Sequence, residues 1–121
     1  MSKTRYIPRT LTDAPSALFS NTEEAWFWFI RCQRVRREGA RFSDSRLMTQ
    51  RPCDPDDIYR GVVELARSGV IGGKHLTILG TFGLWDRPPD ARRPEERRAS
   101  QLWDEALHHL TVLFRKKGIV E

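Results

Sequence analysis

The stretch Asn21-Thr22-Glu23-Glu24-Ala25-Trp26-Phe27-Trp28-Phe29-Ile30 decides the fold class, because it reads either as a helix or as a buried strand. Trp and Phe favour sheets, and a short continuous apolar run suits a strand covered on both faces. Asn21, however, supplies a capping oxygen, and Glu23 and Glu24 follow where negative charge complements the positive end of a helix. Downstream, residues 31–37 hold four arginines, and Gly39 is a natural stop. These flanks predict a helix over 22–38, packed on all sides at its start and charged at its end.

Outward from this segment the other elements are also helical. In Asp54-Pro55-Asp56-Asp57 a capping carboxylate precedes a proline at the first helical position, where its fixed φ is favourable and its missing N–H costs nothing. Ile58, Val62, Leu65 and Ala66 recur at helical spacing up to Arg67, and Gly69 ends the run. A third helix is expected over 74–85, with Leu76, Leu79 and Phe82 on one side and Gly80 and Gly83 weakening it. Pro88 and Pro89 cannot continue it. The last helix carries the broadest apolar stripe, Leu102, Trp103, Ala106, Leu107, Leu110, Leu113 and Phe114, and begins either at Pro94 or at a Ser100 cap. Lys116 and Lys117 suit its negative end, and Gly118 is its stop.

The remainder is connection. Residues 1–19 mix Lys3, Arg5 and Arg9 with prolines and read as a flexible basic arm, anchored by Leu18 and Phe19. Residues 40–53 read as a loop with Phe42, Leu47 and Met48 as anchors. The fold expected is all-α, a single helical domain over 20–121 with about four helices around one core. The helix over 56–67, the turn at Gly69 and the helix from Lys74 also have a helix-turn-helix outline.

Composition bounds the function. A chain of 121 residues has room for one core, and 39% hydrophobic residues with four Trp and six Phe suffice to fill it. The net charge of +5 rests on 17 arginines against four lysines. Arginine grips phosphates and carboxylates bidentately, although a GC-rich genome enriches it as well. No apolar window has the length of a signal peptide or a membrane span, so a cytoplasmic location is expected. Cys32 and Cys53 are too few for a disulfide framework and are expected to be reduced thiols.

The tests for chemistry come out negative. Glu105 and His108 have the Glu-x-x-His spacing of half a di-iron site, but no second half exists. The adjacent His108 and His109 point about 100° apart on a helix and do not converge on a metal. Gly72-Gly73-Lys74-His75 lacks the spacing of a phosphate loop and reads as a glycine hinge. The acids at 54, 56 and 57 lack the later ligands of a calcium loop. The expectation is a protein with no catalytic residues, no metal and no cofactor.

A binding surface remains. Residues 31–51 hold seven arginines against Glu38 and Asp44, a local charge equal to that of the whole chain. A second cluster, Arg87, Arg92, Arg93, Arg97 and Arg98, is diluted by Asp86, Asp90, Glu95 and Glu96. The expected nucleic-acid contacts are Arg31, Arg34, Arg37, Arg41, Arg46, Lys74, His75, Arg92, Arg93 and Arg97. A solvated surface whose arginine stems cover aromatic rings is the alternative.

Thr22-Glu23-Glu24-Ala25-Trp26-Phe27-Trp28, Arg51-Pro52-Cys53-Asp54-Pro55-Asp56-Asp57-Ile58 and Leu102-Trp103-x-x-Ala106-Leu107, with Lys117-Gly118-Ile119-Val120, resemble a family of small proteobacterial-type proteins that is itself uncharacterised. Residues 75–85 with the last helix are also similar in outline to region 4 of sigma factors, an outline that recurs in activators of phage-like gene transfer agents and in phage antiterminators. Pro88, Pro89 and Pro94 stand where region 4 has a short helix. The resemblance implies a transcription regulator, activator or antiterminator, that binds DNA and RNA polymerase. The rival expectation is a protein-binding adaptor with no nucleic-acid partner.

Overall fold

The computed structural model describes residues 18–38 and 51–121. The expected basic arm up to residue 17, and Arg41 and Arg46, lie outside the described residues. Among the described residues the chain forms four α-helices: α1 (Thr22–Arg37), α2 (Pro55–Arg67), α3 (Gly73–Trp85) and α4 (Arg97–Lys116). A short 3-10 turn, Pro94–Glu96, leads into α4. The architecture is all-α, as the sequence predicts.

Helix α1 occupies the centre, and its aromatic run shows why. Successive residues of a helix project about 100° apart, so four in a row sweep the whole circumference. Each finds a different neighbour. Trp26 donates its indole N–H to the Leu79 carbonyl of α3 at 3.0 Å. Phe27 lies 5.7 Å from the Trp103 ring of α4, Trp28 lies 5.2 Å from Phe19, and Phe29 lies 6.4 Å from Tyr59 of α2. All four are buried, and burying a side chain of this class contributes about 1.5–3 kcal/mol. The strand reading of this segment fails because a strand would offer only two faces.

The boundaries follow local chemistry. Asn21 Oδ1 accepts the Glu24 N–H at 2.8 Å and opens α1. At α2 the Asp57 carboxylate accepts the Asp54 N–H at 3.0 Å in a capping box, with Pro55 at the first position. Gly69, at φ +81°, lets the chain leave α2. Two helical glycines allow close packing: a Cβ at Gly61 would run into the Phe114 ring, and one at Gly83 would sit 3.0 Å from Ile30.

Helices α2 and α3 each pack on α1 and α4, and they share little contact with one another. The helix-turn-helix outline is therefore a matter of chain order, and no packed α2–α3 pair supports it. At the other end, Phe19 forms a parallel bridge with Val120. The Phe19 N–H donates to Ile119 O, and the Glu121 N–H donates to Phe19 O, both at 3.0 Å.

Candidate nucleic-acid interface

The arginines of α1 reach the C-terminal end of α3. Arg31 Nη2 lies 3.2 Å from Asp86 Oδ1, and Arg34 Nη2 donates to the Leu84 carbonyl at 2.9 Å. The last turn of α3 has no basic residue of its own, and its open carbonyls carry partial negative charge. Arg31 and Arg34 supply that missing complement from the neighbouring helix. Arg36 pairs with Asp56 at the start of α2 at 3.2 Å. Arg37, one turn beyond Arg34, is exposed and makes no ion pair with a described residue.

The second cluster is organised by a buried acid. Glu96 accepts two hydrogen bonds from Arg87, at 2.9 and 2.7 Å, and one from the Asp90 N–H at 2.8 Å. Those hydrogen bonds pull the Glu96 carboxyl down to about 2. Arg92 pairs with Asp90 at 3.0 Å, and Arg93 approaches it at 4.0 Å. The Arg92 hydrogen bonds also lower the Asp90 carboxyl. Arg97 stays exposed at the start of α4.

At the start of α3, Lys74 is exposed, whereas both ring nitrogens of His75 are engaged within the protein. Nδ1 accepts the Gly72 N–H at 3.0 Å, and Nε2 lies 2.9 Å from Glu105 Oε1 on α4. Since Nδ1 accepts, Nε2 carries the proton and donates it to Glu105. That hydrogen bond lowers the Glu105 carboxyl. His75 thus caps α3 and ties it to α4. Glu105 partners this residue across the fold, not His108 on its own helix.

The other reactive groups are quiet. Among the described residues no cluster of His, Cys, Asp or Glu could hold a metal ion. Burial raises the Cys32 thiol, and burial with nearby Asp57 pushes Cys53 up to about 12, so both are poor nucleophiles at neutral pH. No described helix is long and apolar enough to cross a membrane.

The described surface also has apolar regions. A cleft of about 490 Å³ runs along α1 between α2 and the start of α3, floored by Trp26, Phe29 and Ile30 and walled by Tyr59 and Leu76. Arg36, Arg37 and Asp56 line it as well. The second surface is the end of α3, where Leu84 and Trp85 are both more than half exposed. Sequence reasoning passed over Trp85, which continues the Phe82 side of α3. The available clue was the Asp-Arg-Pro-Pro that follows, because a helix halted there has no further turn to cover its last aromatic.

Comparison of the chain with protein-family models, with curated proteins and with solved structures returned no match.

Proposed function

We propose that the protein is a transcription regulator, an activator or an antiterminator, which engages DNA and/or RNA polymerase through its arginine-rich surface and catalyses no reaction. The observation that carries this reading is the stripe Arg31, Arg34 and Arg37 on α1. Its spacing sets three arginines along one side of a helix whose aromatic run is buried all round, with Arg31 and Arg37 exposed and Arg34 half-buried between them. Among the described residues Arg34 meets a carbonyl and not a carboxylate, so it faces only the partial charge of a helix end. The outline similarity to sigma-factor region 4 supports the transcription setting.

The test is duplex DNA binding measured across a salt series. Each phosphate neutralised adds about 0.9 to the slope of log affinity against log salt. Arg37→Glu, at a side chain with no ion-pair partner among the described residues, is expected to weaken binding alike for all sequences and to lower that slope by about 1. No retention at low ionic strength would remove the DNA half of the proposal.

A second reading, a protein-binding adaptor, is favoured by the cleft beside Tyr59. Aromatic and arginine side chains around an apolar floor suit a protein contact. Pull-down from nuclease-treated extract separates the two readings. Recovery of RNA polymerase subunits favours the regulator, and recovery of an unrelated partner favours the adaptor.

A further inference from the structure

The exposed end of α3 has a construction of its own. Trp85 is 57% exposed, whereas the other three tryptophans, Trp26, Trp28 and Trp103, are 6%, 3% and 2% exposed. Its ring is nevertheless held in place. Phe82 meets it edge to face at 5.0 Å, and the Arg87 guanidinium lies 5.4 Å from its centre. Arg87 is fixed in turn by the two hydrogen bonds it donates to Glu96. At the two residues that flank Trp85 in the chain, Arg34 bonds to the Leu84 carbonyl and Arg31 pairs with Asp86. The acids of this neighbourhood, Asp86 and Glu96, are each spent on one arginine, and Arg34 meets no carboxylate among the described residues, only the carbonyl that precedes Trp85.

A pre-oriented aromatic ring, more than half exposed, with a cation held at the neighbouring carbonyl suits single-stranded nucleic acid, a π-face for an unpaired base and a positive charge for its phosphate. We propose that Trp85 is a stacking platform for an unpaired base of single-stranded nucleic acid, with Arg34 taking the adjoining phosphate. This deepens the DNA reading above and rests on it, since the same arginine stripe serves both. It adds that the strand engaged at the α3 end is unpaired. Double-stranded DNA keeps its bases stacked on one another and has no free face to offer Trp85.

Trp85 is the accessible member of a set of four tryptophans, so it reports on its own occupancy. The experiment titrates the full chain with a single-stranded oligothymidylate and, separately, with a duplex of the same length, following tryptophan emission and its quenching by iodide. The single strand is expected to quench the iodide-accessible emission, and the duplex to bind without doing so. Trp85→Ala is expected to weaken oligothymidylate binding ~10-fold or more, and Trp85→Phe to keep most of it because a π-face remains. Duplex binding without any response to oligothymidylate overturns the stacking proposal and leaves the regulator reading standing. Quenching by oligothymidylate without duplex binding supports stacking and removes the duplex contact. If Trp85→Ala binds oligothymidylate as tightly as the parent, the proposal fails, and loss of RNA polymerase capture by the same variant would reassign the ring to a protein contact.

Discussion

The arginines of α1 and those of the 86–93 loop are similar in number and unlike in the partners they find. In the loop, Arg87, Arg92 and Arg93 pair with acids nine, two and three residues away. On α1, Arg31, Arg34 and Arg36 reach partners 55, 50 and 20 residues away. The loop thus neutralises itself, whereas the helix hands its charge to other elements and, among the described residues, keeps part of it unmatched. A charge-balanced stretch of sequence marks arginines that hold their own backbone in shape. An unbalanced one marks arginines available to the rest of the molecule, or to a ligand.

The largest expected break in this comparison comes from Glu96→Gln. It leaves Arg87 without its bidentate acid and weakens the acceptor of the Asp90 N–H, so the loop should loosen and Tm should fall by several degrees. The same carboxylate sets a pH dependence. Its folded value, about 2, lies below the ordinary 4.5, so its stabilisation is complete above about 4.5 and is lost as pH falls toward 2. Asp90 and Glu105 are lowered too and add to stability in the same direction. A Tm series over acid pH should show a steep limb in the parent and a shallower one in Glu96→Gln. Equal limbs would mean that Glu96 is not the acid that holds the loop.

Arg34→Ala probes the other side of the comparison with a smaller effect. Removing the donor to the Leu84 carbonyl should cost about 1 kcal/mol in denaturant unfolding, with earlier amide exchange at the end of α3. An unchanged midpoint would show that solvent caps this helix equally well. Arg92→Ala should do least. Its side chain is almost wholly in solvent, so its pair with Asp90 is expected to leave Tm unchanged within error.

The helices were legible because their ends carry explicit chemistry. Asn21, the Asp54-Pro55 pair, Gly69 and Gly118 each act through a cap, a fixed φ or a positive φ, which depend on near neighbours alone. Of the two starts expected for the last helix, Pro94 is the nearer, since a 3-10 turn begins there and the α-helix at Arg97, which puts Ser100 inside the helix and not at its cap. The site was less legible because its geometry depends on packing. Nothing near His75 in the chain indicates that Glu105 completes it from 30 residues away. Exposure is largely non-local as well: Trp85 and Trp26 are the same residue type on helices, and apart from the prolines after Trp85 it is the tertiary arrangement that covers one and leaves the other open.

The central position of α1 has a kinetic meaning. Trp26 closes on Leu79, Glu23 accepts from the Trp103 indole, and Thr22 bonds to Thr111, contacts separated by 53, 80 and 89 residues. Helical proteins usually fold fast because their contacts are local, and these are not. Among the described helices α1 leaves the ribosome before its three partners and is the last to be covered, since α4 must be made before Phe27 and Trp28 have their full surroundings. In the interval four bare aromatic side chains stand in a row, the kind of transient surface on which nascent chains aggregate.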